Sequence, residues 1–314
     1  MRPGSILDCI GRTPMVPLAR IGAGLPVALL AKCEHLSPGG SVKDRIAVAI
    51  VDDAERRGAL APGGTIVEAT AGNTGVGLAL VAAVRGYRLV CVLPEKMSED
   101  KRVALRALGA EVVITKNAPP DDPDNFQAVA RRMAEERAWL LADQFANPAN
   151  PRIHEETTGP EVLEGAGGRV GAFVAGAGTG GTLTGVGRYL KARLPAVKIV
   201  LADPVGSRLA GWVNRRVLGP DAAYAVEGIG GSVVPVNLDV SVVDAAEEVS
   251  DADSFAMVRR LVREEGLLVG GSAGTAVAAA LRLAARGDVD GPVVVLLPDG
   301  WDRYRSKPWM QGWG

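Results

Sequence analysis

At 314 residues the chain exceeds the usual single-domain size, so two lobes or one large α/β unit are expected, with room for a sizeable core. Basic and acidic side chains nearly cancel (Lys+Arg 35, Asp+Glu 36), and only 4% of residues are aromatic, which leaves no phosphate-tracking basic face or stacking platform for nucleic acid. The composition is 47% hydrophobic and 23% charged, no apolar run can cross a bilayer and no basic-then-apolar leader precedes Ile6, so a cytoplasmic protein without membrane partners is expected.

A strand-then-helix alternation runs through most of the chain and argues for parallel α/β layers. Thr65–Ala69 reads as a buried strand, Gly75–Val84 as a helix, Leu89–Leu93 as a strand, Glu99–Leu108 as a helix, Glu111–Thr115 as a strand and Phe126–Arg137 as a helix. These pieces make one candidate lobe, from about Ile46 to Arg152, bounded by the Asn/Pro-rich stretch Asn147–Pro151. The alternation then resumes with helix Glu155–Leu163, strand Val170–Ala175, helix Leu183–Leu194 and strand Val197–Ala202. Helix Ser254–Glu265 follows, opened by a capping pattern at Ser250 and Asp253, then helix Ala273–Arg286 and strand Pro292–Leu297. The N-terminal stretch is expected to join this second lobe.

Cys9, Cys33 and Cys91 are odd in number and far apart, which fits reduced structural thiols rather than a zinc or redox pair. His35 and His154 are the only histidines, too few for a histidine-rich metal site, and neither adjoins an obvious Ser or Cys nucleophile. No metal is expected.

Three segments place glycine and hydroxyl residues between a strand and a helix, where backbone N–H groups can grip an anion: Thr70-Ala71-Gly72-Asn73-Thr74-Gly75, Gly176-Ala177-Gly178-Thr179-Gly180-Gly181-Thr182 and Gly270-Gly271-Ser272-Ala273-Gly274. A tight turn that needs positive φ explains any single one; three together favour a ligand-binding cleft. The second also fits a dinucleotide fingerprint, Gly176, Gly178 and Gly181 after a strand with Asp203 ending the next, so a nicotinamide- or flavin-dependent oxidoreductase is a rival reading.

Ser37-Pro38-Gly39-Gly40-Ser41-Val42-Lys43-Asp44-Arg45 puts a lysine after a flexible loop and at the start of the apolar helical run Ile46–Val51. A solvated lysine at a charged helix start is the ordinary explanation. A lysine that forms a Schiff base must instead lose its proton near neutrality, which takes burial or a cationic neighbour, for which Arg45 is a candidate.

The segments Gly39 to Arg45, Thr70 to Gly75, Gln144 to Pro151, Gly178 to Thr182 and Glu227-Gly228-Ile229-Gly230, in this order, resemble the cysteine synthase and cystathionine β-synthase family across nearly the whole chain. Lys32-Cys33-Glu34, Asp203 to Ser207 and Gly266 to Gly274 tilt the resemblance toward its cystathionine β-synthase branch. The resemblance implies an α/β fold of two lobes of parallel-rich sheets flanked by helices, the tryptophan-synthase-β-like fold type II of pyridoxal 5'-phosphate enzymes. Residues 46–152 would form the smaller, mobile lobe, and residues 1–45 with 153–314 the larger, cofactor-anchoring one.

It further implies that Lys43 carries the pyridoxal phosphate as a Schiff base and moves the substrate's α-proton. Asn73 would bond the cofactor's phenolic oxygen, and Gly178, Thr179, Gly180, Gly181 and Thr182 would cradle its phosphate. Ser272 would meet the pyridine nitrogen with a neutral hydroxyl, which favours β-elimination over transamination. Thr70, Ala71, Gly72, Thr74 and Gln144 match the segments that hold the substrate carboxylate. Ala71 replaces a serine common in the family and Gly231 an aromatic of animal-type members, so substrate and thiol preference do not carry over.

The implied activity is β-replacement on serine or O-acetylserine by a thiol, homocysteine giving cystathionine or sulfide giving cysteine, in a homodimer. A serine or threonine dehydratase is the same-cofactor alternative, and a catalytically silent binding protein would keep the fold without needing Lys43. The chain ends soon after Pro298-Asp299-Gly300, so neither an appended regulatory module nor a haem-binding extension is expected.

Overall fold

The computed structural model describes residues 4–70, 72–95, 97, 99–119 and 121–311. Contacts divide the chain into two compact units, Met1–Ile10 with Ser37–Asn150 and Gly11–Leu36 with Pro151–Gly314. In chain order, the second unit first contributes β1 (Met15–Pro17) and β2 (Leu29–Cys33). The first unit then supplies α1 (Lys43–Arg56), β3 (Thr65–Ala69), α2 (Asn73–Arg85), β4 (Arg88–Pro94), α3 (Glu99–Ala107), β5 (Glu111–Thr115), α4 (Phe126–Arg137) and β6 (Leu140–Leu141). After α5 (Ala149–Ile153) and a π-helical turn (His154–Thr158) come α6 (Gly159–Gly165), β7 (Ala172–Ala175), α7 (Gly181–Arg193), β8 (Lys198–Pro204), α8 (Leu209–Arg215), β9 (Ala245–Val249), α9 (Asp251–Glu265), α10 (Gly271–Ala285) and β10 (Val293–Leu297).

In the first unit four parallel strands lie in the order β5-β4-β3-β6. The strand β3 is buried along its whole length, and Val67, Val90 and Val92 meet Ala130 and Ala134 of α4 in one core cluster. Ile46, Ala47, Ile50, Val51 and Ala54 recur at helical spacing and bury one face of α1. Against that helix α2 comes close because Gly77 has no side chain: a Cβ there would lie 3.0 Å from the Ala47 Cβ and 3.1 Å from the Lys43 carbonyl oxygen. Residues 37–45, which the sequence alone groups with the larger lobe, belong to this unit through that packing, and residues 6–9, a 3₁₀ turn, contact α2 as well.

The second unit holds six strands in the order β1-β2-β10-β7-β8-β9, with β1 antiparallel to β2 and every other pairing parallel. Ala172, Val174, Val293 and Val295 pack with Ala273, Ala276, Val277 and Ala280 of α10, whose small side chains bring helix and sheet together. The helices α9 and α10 meet at Gly274, where a Cβ would lie 2.0 Å from the Ser254 carbonyl oxygen. Part of the third glycine-rich segment therefore serves helix packing.

A buried cation ties this unit internally. Lys32 on β2 is 1% exposed and donates from Nζ to the Thr13 carbonyl and to Glu161 Oε2 of α6, each at 2.6 Å. Thr13 Oγ1 in turn donates to Glu34 Oε1 at 2.5 Å. A partner removed from such a set leaves an uncompensated buried charge. We therefore expect Lys32→Met to destabilise the protein by about 3–5 kcal/mol, read as a drop in the urea midpoint; an unchanged midpoint would show that the network carries no net weight.

Candidate active site

Two stretches of the second unit gather at the carboxyl ends of adjacent parallel strands, where α/β sheets bind ligands. The turn after β7 runs Gly176-Ala177-Gly178-Thr179-Gly180 into α7. A Cβ at Gly178 would sit 2.4 Å from the Gly228 carbonyl oxygen, and one at Gly176 would sit 2.5 Å from Ile229 Cγ2. Gly230 N–H donates to the Ala177 carbonyl at 2.8 Å. The Glu227-to-Gly230 motif is thus pressed onto the turn, and glycine is required because no side chain fits. Gly180 adopts φ +83°, where a Cβ would also collide with Leu238 at 2.6 Å. As the capping residue of α7 it has no side chain to occupy the first-turn N–H groups. Thr179 and Thr182 flank it, both buried.

The start of α10 is built alike. Gly270 caps it without a side chain, and a Cβ there would lie 2.3 Å from Asp299 Oδ1. Gly270 N–H donates to the Asp299 carbonyl at 3.1 Å, and Tyr304 Oη donates to Asp299 Oδ2 at 2.6 Å. Asp299 follows the carboxyl end of β10 and so fixes the entrance of α10, where Ser272 stands buried in the first turn.

The first unit carries the remaining predicted residues. Lys43 is the first residue of α1 and half-buried, and its backbone N–H donates to Ser41 Oγ at 3.2 Å. Asp44 accepts from the Gly39 N–H at 2.6 Å, so the carboxylate after the lysine folds the glycine loop back on itself. Thr70 Oγ1 accepts from the Gly72 N–H at 3.2 Å, and Gly72 caps α2 with no side chain, leaving Asn73 as its first residue. Ala71 lies outside the described residues. Thr74 Oγ1 donates to Gln144 Oε1 at 2.5 Å, and the Gln144 carbonyl accepts from Asn150 Nδ2 at 2.8 Å. Lys43, Thr70, Gly72, Asn73, Thr74 and Gln144 therefore belong to one unit, and Gly178 to Thr182 with Ser272 to the other.

Two further acids are buried, and their partners are not apparent from sequence. Glu68, two residues before Thr70, is 2% exposed. Burial, then the neighbouring Asp143 charge, raises its carboxyl from 4.5 to about 7, against hydrogen bonds from the Gln144 backbone and side chain and the Asp143 backbone. Asp203 is fully buried, and its Oδ2 accepts from the Ala210 N–H at 2.8 Å in the first turn of α8. A dinucleotide reading needs this carboxylate on a ribose; here it holds a helix start instead, and burial lifts it to about 6. Burial likewise pushes the Cys33 and Cys91 thiols up, to about 11 and about 12, which makes them inert. Among the described residues no three His, Cys, Asp or Glu side chains gather to hold a metal ion, and no helix is long and apolar enough to cross a membrane.

A parallel-sheet fold with these turns defines a cofactor-dependent α/β enzyme class, and the family model described as pyridoxal-phosphate dependent enzyme matches residues 6–299. The chain belongs to that family, with its fold type II architecture. Among curated relatives, cystathionine beta-synthase of Rattus norvegicus is 49% identical over 98% of this chain and 55% of its own length. That of Apis mellifera is 43% identical over 98% of this chain and 62% of its own. The chain thus spans little more than half the length of these relatives. Among solved structures, O-ureido-L-serine synthase superposes with a TM-score of 0.89 at 41% identity, covering 99% of this chain and 96% of that one.

The Glu68 carboxyl sets a pH signature. Between about pH 4.5 and about pH 7 the folded chain keeps this proton while the unfolded chain releases it. Its stability contribution is complete below the lower value and is lost as pH rises through the upper one, on the order of 3 kcal/mol in all. Glu68→Gln is expected to flatten this decline in urea midpoints compared at about pH 5 and about pH 8. A decline of the same steepness would contradict the assignment.

Proposed function

We propose that the protein catalyses β-replacement on serine or O-acetylserine with a thiol, homocysteine giving cystathionine or sulfide giving cysteine. The turn that opens α7 carries this reading. Close packing of Gly178 on the Gly228 carbonyl and of Gly180 on Leu238 fixes the turn, and Gly180 offers no capping side chain, so the backbone donors of Gly178 to Thr182 suit the phosphate of pyridoxal 5'-phosphate. When bound, that cofactor supplies an aldehyde to link amino groups and a ring that withdraws electrons from the substrate's Cα.

The chain's own groups then divide the work. Lys43 anchors the cofactor through Nζ and moves the proton at the substrate's Cα, which its half-buried place at the head of α1 suits. Asn73 orients the ring through its phenolic oxygen. Ser272 offers the ring nitrogen a neutral hydroxyl, without a carboxylate to hold it protonated. Thr70, Ala71, Gly72, Thr74 and Gln144 receive the substrate carboxylate; the uncapped start of α2 supports this, and the Thr74–Gln144 hydrogen bond holds the two segments together. The same reading takes the enzyme as a cytoplasmic homodimer whose smaller lobe moves.

The relatives named above are cystathionine beta-synthases and an O-ureido-L-serine synthase, so the amino-acid half of the reaction is better supported than the nucleophile. Purified protein supplied with serine or O-acetylserine against homocysteine or sulfide is expected to form a thioether or cysteine. Lys43→Ala is expected to slow turnover at least 10²–10⁴-fold, the usual weight of a general base. Ammonia and a keto acid as sole products would instead make it a dehydratase, and an unchanged rate in Lys43→Ala would remove the lysine from the reaction.

A further inference from the structure

His154 is one of only two histidines and takes no part in the reaction proposed above. It is 1% exposed, in the π-helical turn between α5 and α6. Its Nδ1 lies 2.9 Å from Thr158 Oγ1 and its Nε2 lies 3.1 Å from Thr182 Oγ1, with Thr158 fully buried and Thr182 at the second position of α7. The imidazole thus bridges a hydroxyl of its own turn and a hydroxyl of the anion-receiving turn.

The local sequence explains how the ring reaches so far. Gly159 N–H donates to the His154 carbonyl five residues back, and the next residue, Pro160, has no N–H to continue an ordinary helical ladder. The widened turn presses against α7 where side chains are missing. A Cβ at Gly185 would lie 2.2 Å from the Pro151 carbonyl oxygen and 2.7 Å from the His154 Cβ, and one at Gly159 would lie 2.7 Å from the Tyr189 Cβ. Gly185 follows Thr182 by three residues, so the two share a helix face. Backbone contact at Gly185 therefore brings the imidazole onto Thr182.

We propose that His154 is a positioning residue for the cofactor's phosphate: its Nε2–H donates to Thr182 Oγ1 and so directs the Thr182 hydroxyl proton at the anion. This rests on the reading that Gly178 to Thr182 receive that phosphate. A threonine hydroxyl has one proton and two acceptor sites, whereas a phosphate ester offers oxygens that accept. If Nε2 lacked its proton, Thr182 would spend its only donor on His154 and face the anion with lone pairs. With the proton on Nε2, the Thr158 hydroxyl donates to Nδ1, the ring donates to Thr182, and Thr182 donates to the phosphate. The donors of these three side chains then all point the same way.

The tautomer can be read in the unaltered holoenzyme by nitrogen NMR after labelling histidine with ¹⁵N, because a His35→Gln spectrum assigns both rings. The neutral ring of His154 is expected to carry its proton on Nε2; a proton on Nδ1 alone would overturn the proposal. In parallel, the cofactor's dissociation constant is measured by absorbance on dilution of the holoenzyme. His154→Leu is expected to weaken binding about tenfold or more, the scale of one hydrogen bond to a charged group. His154→Gln, which keeps an N–H donor for Thr182, is expected to recover most of that loss. Thr182→Val separates the two levels of the argument. If it weakens binding while His154→Leu does not, the positioning role fails and the phosphate reading stands; if it changes nothing, the Thr182 hydroxyl is no phosphate ligand and the proposal falls with it.

Discussion

The constraint on which the rest depends is that the three helices opening from glycine-rich turns each have a glycine as the capping residue. The caps of α2, α7 and α10 are Gly72, Gly180 and Gly270, none of which places an oxygen over the first-turn amides. At two other helices a side chain does cap: Asn125 accepts from Gln127 N–H at α4, and Ser250 accepts from Asp253 N–H at α9. A side-chain cap would consume the donors that an anion needs, and glycine in its place costs only on the order of a few tenths of a kcal/mol of helix stability. At α7 and α10 glycine is also fixed by contact, since Gly178, Gly180 and Gly270 each meet neighbouring atoms at distances no Cβ tolerates.

The buried titratable groups stand behind these turns rather than in them. Asp299 fixes the entrance of α10 and Asp203 the start of α8, Glu68 meets Asp143 and Gln144, and Lys32 holds the seam between β2 and α6. The groups assigned to the ligand, apart from Lys43, are neutral donors. An anion held by backbone amides and hydroxyls needs no counter-cation nearby, which lets the one lysine keep a chemical role. The role proposed for Ser272, a neutral hydroxyl, fits the same economy of charge.

Much of the architecture could be read from hydrophobic period. The boundaries of β3, β5 and α4 coincide with the residues whose apolar spacing marks them. The starts of α2, α7 and α10 do not: each begins two residues before the apolar pattern, at Asn73, Gly181 and Gly271. Periodicity is blind to a first turn written in glycine, threonine and serine, and that turn is where ligand donors lie. The strand β9 escapes notice because Ala245–Val249 is half-polar at a sheet edge. Asp203 was ambiguous for a different reason: a carboxylate ending a strand serves a ribose or a helix start equally well in sequence, and only its bond to Ala210 decides. Glu68 and His154 could be suspected, an acid inside an apolar strand and a rare histidine, but their partners lie 76 and 28 positions away in Gln144 and Thr182 and appear only in three dimensions.

The account turns on a covalent bond at one amine. Borohydride reduction of the purified holoenzyme, followed by proteolysis and mass analysis, locates the pyridoxyl group directly. A single adduct on the peptide containing Lys43 is predicted; an adduct on any other lysine, with Lys43 unmodified, would contradict it.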